Sequence, residues 1–300
     1  KYVFGVQVAS CEQDETSVHV GFSDGEEGRF DLVVGADGQS SKTRRMIFGQ
    51  DAPDPFHSLG VYCALFTIPQ QEGDTNIANI CHLPGRRVIA TRRDNPRTLQ
   101  AYLTILSDSN KLKEALKKDI TEQKKVWAEL FHDAGWQGPR IINAMLQDST
   151  ADDFYFQCIG YTKMNSWSLG RVVLLGDAAY CPSLFSGMGT SAALVGAYVL
   201  AGEIAKHCNL RQPSTTDEVK DVLLEALVAY DHCFRPFINK IQRLLPGYPG
   251  IGFPETKCGI LVLHFILGLI TILRLDKLAS HFMSDNVSGW DLPEYCELAN

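Results

Sequence analysis

Patterns that announce metal, disulfide or nucleic-acid chemistry are missing from this 300-residue chain. Nine cysteines occur, but none are spaced C-x-x-C and no histidine falls at a zinc-ligand interval, which excludes a zinc ribbon or a dithiol redox motif. An odd, unpatterned set also excludes a disulfide framework and reads as reduced thiols in a cytoplasmic protein. With 28 Lys and Arg against 35 Asp and Glu the net charge is −7, and no basic run exists. The chain therefore lacks the electrostatic footprint of a nucleic-acid binder. No run reaches the ~18–20 apolar residues that span a bilayer. The longest, Gly259 to Leu273, ends at Arg274, Asp276 and Lys277. It is read as a helix buried against the protein body, with peripheral membrane or partner contact through 259–273 as the alternative.

What is present points to a mixed α/β chain. Strand-like segments are read at Val3 to Ala9, Ser17 to Ser23, Arg29 to Val34, Val61 to Ile68, Asn79 to Thr91, Thr98 to Leu106 and Phe154 to Ile159. Val18, Val20 and Phe22 alternate with His19, Gly21 and Ser23, and Asp24-Gly25, Pro84-Gly85 and Asn95-Pro96 supply turns. Ser109 is placed to cap one helix and Thr121 to open another, while Ser214 or Thr215 fits a capping box for a third after a polar linker. The segment Arg171 to Ala193, RVVLLGDAAYCPSLFSGMGTSAA, carries the most information. Its apolar run Val172 to Leu175 suits a strand covered on both faces. Gly176-Asp177 then places a carboxylate at the strand's carboxyl end, where ligands of open α/β sheets collect. Gly187 and Gly189 allow a ligand close to backbone where a helix from about Thr190 to Lys206 begins.

The turn G-D-A-A followed by the G-x-G helix opening resembles the second FAD-binding motif of the para-hydroxybenzoate hydroxylase-like flavoprotein monooxygenases. Upstream, DLVVGADGQSSKTRR (Asp31 to Arg45) is similar to the family's D-G-x-x-S-x-x-R segment, with Asp37, Gly38, Ser41 and Arg44 on the pattern. Both motifs stand in the family's order, with a mixed region between them, and the resemblance covers most of the chain. It implies that Asp177, with Gly176 and Ala178, lies beside FAD hydroxyls, and that Gly187, Met188, Gly189 and Thr190 present N–H groups to the pyrimidine edge of the flavin. Pro182 and Phe185 would wall the ring. Asp37 and Gly38 would lie by the pyrophosphate and the nicotinamide approach. Arg44 would pair with Asp37 or phosphate, or stand solvated at a helix start; Ser41 would cap that helix. Tyr180 stands where a histidine is commonest in the family. Cys181 is read as a small buried filler, a redox thiol being the rival. His57, His82 and the pair Arg92-Arg93 are read as surface or satisfied polar residues of the substrate sheet.

The resemblance further implies an incomplete Rossmann-like FAD-binding domain with an inserted antiparallel substrate sheet and C-terminal helices. Residues 1–50 and 166–210 would belong to the FAD domain, 51–165 to the substrate sheet and 211–300 to a helical region. The family's G-x-G-x-x-G turn and its ribose-binding acid are not in the sequence, so about one hundred further residues are expected before Lys1. The implied activity is hydroxylation of a small aromatic or polyketide-like substrate with FAD, NAD(P)H and O2. A halogenase or prenyl-chain reductase of the same fold, and a noncatalytic fragment, are the alternatives.

Overall fold

Alternating valines build the first of three sheets. In β2 (Val18–Phe22) Val18 and Val20 are buried while His19 is exposed. The strand is flanked by antiparallel β1 (Val8–Gln13) and β3 (Glu27–Phe30). The computed structural model describes residues 1–49, 52–93, 95–210, 216–244, 247–274 and 290–298; Ser214, Thr215, Asp276 and Lys277 lie outside them. Pairing limits the first strand to less than its sequence pattern. Because β2 offers partners only from Val18 to Phe22, the ladder begins at Val8, and Tyr2 and Phe4 stay exposed. The run Arg29 to Val34, read as one strand, is two. Phe30 pairs with Val18, whereas Val33 opens β4 (Val33–Gly35) and pairs with Val172 in another sheet.

That second sheet has the order β10 (Ser168–Leu169), β11 (Val172–Leu174), β4. Strand β11 is wholly buried and runs parallel to β4. Around it stand α1 (Lys42–Phe48), α5 (Asp177–Tyr180), α6 (Gly189–Leu210) and α7 (Thr216–Ile241). Their core is aromatic: Trp167, Tyr180, Tyr230 and Phe234 pack with Val199 and Leu227. Tyr180 and Trp167 ring centres lie 4.6 Å apart, and the Tyr230 hydroxyl donates to the Tyr180 hydroxyl at 3.1 Å. The unusual tyrosine is therefore a core residue, and burial pushes its phenol up to about 12.

The third sheet is ordered β6 (Asn79–Leu83), β7 (Arg87–Arg93), β8 (Thr98–Leu106), β5 (Phe56–Pro69), β9 (Tyr155–Thr162). Every second residue of β8 is buried, the period-2 signature of a sheet with one covered face. Trp127 and Phe131, with Ile141 and Met145, share a core with Phe66 and Leu103. Ser109 caps α2 (Asn110–Ala115), as expected. Asp119, rather than Thr121, caps α3 (Ile120–Leu130), its carboxylate accepting from the Glu122 N–H at 3.0 Å. Helix α4 (Gly138–Gln147) escaped the sequence reading because Gly138-Pro139 is a turn signal, yet proline is tolerated in a first helical turn.

The chain divides into two compact units, one of Lys1–His57, Gly160–Arg243 and His281–Asn300, the other of Ser58–Ile159 and Leu244–Ser280. Helix α8 (Lys257–Ile272) corrects the expectation of a buried helix: none of its residues is buried. Among the described residues no helix is long and apolar enough to cross a membrane.

Candidate functional site

Two short parallel strands bring the motifs together. Val33, Val34 and Gly35 of β4 lie in register with Val172, Val173 and Leu174 of β11. The chain therefore leaves both strands at their carboxyl ends side by side, with Asp37 two residues beyond one and Asp177 three residues beyond the other. Gly35 permits this closeness, since a Cβ there would sit 2.9 Å from the Leu174 side chain. Asp37 accepts from the Ser41 hydroxyl at 2.5 Å and from the Thr43 N–H at 2.9 Å. Burial works to raise its pKa, but these donors outweigh that and hold the carboxyl below the usual range. Ser41 in turn caps α1, accepting from the Arg44 N–H at 2.9 Å.

Arg44 is the staple between the motifs. Its side chain is almost fully buried and donates to the Ala178 carbonyl at 2.7 Å and the Gln39 carbonyl at 2.8 Å, with the Asp54 carboxylate 3.8 Å away. Its hydrogen bonds thus go to backbone oxygens of both motifs. Gln242, just beyond α7, performs a similar task that the sequence reading missed. Its amide donates to the carbonyls of Thr162, Tyr180 and Cys181 at 2.7, 3.1 and 3.2 Å, fixing the exit of the Gly-Asp turn. No local pattern marks a lone glutamine at a helix end for this role.

From α5 the chain passes buried Cys181 and Pro182 into a short 3-10 turn, Leu184–Ser186, capped by the buried Ser183. Burial first, and the neighbouring Asp177 second, push the Cys181 thiol up to about 12, which fits a filler and not a reactive thiolate. Gly187 ends the turn at φ 65°, a left-handed conformation that side chains resist. Met188 donates its N–H to the Ser186 hydroxyl at 3.1 Å, and Gly189 opens α6. A Cβ built on Gly38, Gly187 or Gly189 meets no heavy atom within 4 Å. Asp37, Asp177, Gly187 and Thr190 are solvent-accessible. The residues thus form an open cradle beside a helix N-terminus, whose first-turn N–H groups have no intrahelical acceptor. Such a surface fits a flat, anion-bearing cofactor pressed against backbone.

A half-open groove of about 510 Å³ in the same unit is lined by Arg44, Arg45, Phe48, Lys163 and Met164, among others, but by none of the motif glycines. His57 stacks on Tyr161 at 5.0 Å, His82 contacts His264 at 3.1 Å, and Arg93 donates to Asn76. Arg92 is exposed.

Residues 1–219 match a family described as FAD binding domain. The FAD-dependent monooxygenase asL4 of Sarocladium schorii is 37% identical over 306 residues, covering 99% of this chain and 70% of that protein. The chain belongs to the FAD-binding family of flavin-dependent monooxygenases. This flavoprotein monooxygenase is also similar to the flavin-dependent monooxygenase eupH of Phoma sp, 36% identical over 307 residues, with 98% and 70% of the two chains covered. Among solved structures, tetracycline destructase Tet(51) superposes with a TM-score of 0.71 at 30% identity, over 97% of this chain and 70% of that one. The flavoprotein's chain thus spans about 70% of the length of these relatives. Its cofactor is FAD, and the fold is that of the FAD-binding hydroxylases.

Proposed function

We propose that this flavoprotein hydroxylates a small aromatic or polyketide-like molecule, consuming NAD(P)H and O2 and releasing NAD(P)+ and water. The observation that carries the reading is the meeting of Asp37-Gly38 and Gly176-Asp177 at the ends of adjacent parallel strands, before an open glycine cradle. When bound, FAD would supply the redox chemistry that links nicotinamide oxidation to O2 activation. The chain's residues hold and orient it. Asp177 accepts hydrogen bonds from cofactor hydroxyls, as an ionised carboxylate is an acceptor only. The first turn of α6, at Gly189 and Thr190, offers N–H groups and the positive helix end to the negatively polarised ring edge. Gly187 and Met188 bring backbone to the ring, and buried Pro182 shapes the loop beside it. Asp37 stays ionised through its Ser41 and Thr43 donors, while Gly38 leaves room for the nicotinamide.

A fused-ring polyketide is the favoured substrate class, because Tet(51), named for tetracycline, is similar over nearly the whole chain. The test is NAD(P)H oxidation by the flavin-loaded protein, with and without candidate fused-ring phenols, followed by mass spectrometry in labelled O2. Substrate-stimulated oxidation with one labelled oxygen atom in the product supports hydroxylation. Reduction of a substrate double bond without oxygen incorporation would assign a reductase instead, and halide incorporation a halogenase.

A further inference from the structure

Helix α8 turns a continuous apolar stripe away from its own unit. Leu261, Val262, Phe265, Ile266, Leu269 and Ile272 are exposed, with Leu261 and Phe265 at 69% and Ile272 at 79%. At 100° per residue all six fall within an arc of about 140°, along roughly 17 Å of helix. The opposite arc is only partly covered: Ile260, Leu263 and Ile270 are half-covered and His264 Nε2 lies 3.1 Å from His82 Nδ1 on β6, while Leu267 is 47% exposed. The start of the helix is tethered too, by Gly85 N–H to the Glu255 carbonyl at 2.8 Å and by Arg86 to the Glu255 carboxylate at 3.1 Å. Ile80, on the same face of β6 as His82, is itself 64% exposed. A contiguous apolar patch of this kind marks a contact surface more often than bare solvent-facing protein.

Charge says what covers it. The net charge of the chain is −7, yet no acidic residue occurs from Lys257 to Arg274, and these two exposed cations flank the helix at its two ends. A surface-lying helix ordinarily needs a polar face toward water. Here β6 and the turn before the helix take part of that side, through His82 and Gly85, so the outer stripe is the side left to the bilayer. We infer that the outer stripe of α8 inserts into the interfacial layer of an anionic lipid bilayer, holding the protein on the membrane surface without spanning it. Lys257 and Arg274 would sit among the headgroups at either end. This inference stands on α8 alone and is independent of the reading of the flavin site.

The test is cosedimentation of the purified protein with vesicles of phosphatidylcholine alone and with about one-third phosphatidylserine, at low and high salt. Binding to both is expected, tighter with phosphatidylserine and partly salt-sensitive. Phe265→Asp with Leu269→Asp should weaken binding at least about a hundredfold, the equivalent of removing two buried large side chains from the lipid. Unchanged far-UV circular dichroism would show that the variant folds. Lys257→Gln with Arg274→Gln, which leaves the stripe intact, should remove only the phosphatidylserine preference. Failure to bind either vesicle overturns the proposal. So does a concentration-dependent dimer, by analytical ultracentrifugation, that the Phe265 and Leu269 variant abolishes while vesicle binding persists.

Discussion

Arg44 illustrates how much a single side chain can hold at this site. Its guanidinium is forked, permanently charged and buried against two carbonyls, which a lysine cannot serve with the same geometry. Arg44→Met leaves both oxygens without their charged donor and is expected to cost about 2–4 kcal/mol. Urea unfolding would read that loss, and Arg44→Lys should recover less than half of it. Gly189 poses the opposite case. Its backbone is helical and the space beyond its Cα is open, so Gly189→Val should fold with a melting temperature near that of the native protein. The added methyl groups would occupy the place where a flavin ring meets backbone. FAD affinity, followed by flavin fluorescence, should fall at least tenfold, about 1.4 kcal/mol. Unchanged affinity would remove the cradle from the cofactor site.

Among the elements, α8 depends on a contact with a pH dependence of its own. His82 and His264 share one proton-mediated contact at 3.1 Å, so at least one ring must be neutral. Burial, and then the facing His264, lower the His82 pKa. A lowered folded pKa means that docking is fully stabilised above the unfolded value of about 6.5 and is lost as pH falls through the lower folded one. Arg86, paired with Glu255, adds no acid free to offset the second proton. Hydrogen exchange in α8 should therefore accelerate below about pH 6.5, and His82→Phe should abolish that dependence. Element by element, legibility follows locality. The Ser41 and Ser109 caps and the alternation of β8 are set within a few residues and were readable. The division of Arg29 to Val34 between two sheets was not, because its cause is pairing with Val18 on one side and Val172 on the other.

At the scale of the whole molecule, acid is the condition to which this fold should be most sensitive. Arg140 clasps the nearly buried Asp74 with hydrogen bonds of 2.8 and 2.9 Å and holds its carboxyl low. Arg87 does the same for the more exposed Asp133, lowering it to about 2. Asp37 adds a third lowered carboxyl. All three are ionised at neutral pH, folded or unfolded, but only the folded chain keeps them charged in acid. Their stabilisation is complete above the ordinary carboxylate pKa of about 4 and drains as pH falls through the lowered folded values, that of Asp133 being about 2. Thermal unfolding measured across that window should show the steepest loss, and Asp74→Asn should flatten it while lowering stability at neutral pH.

The sequence by itself determined the chemistry on offer: two glycine-acid motifs, a capped helix after one, a glycine-opened helix after the other, and their likeness to one flavoprotein family. Those are local matters of backbone freedom, capping and strand pattern, legible over a few residues. Tertiary structure decided which groups meet. It directed Arg44 to the Ala178 carbonyl, brought Gln242 to three carbonyls from far along the chain, and buried Tyr180 and Cys181. It also left one face of α8 bare. Apolar periodicity shows that a surface must be covered, but the covering group depends on the contacts that the rest of the chain has already filled.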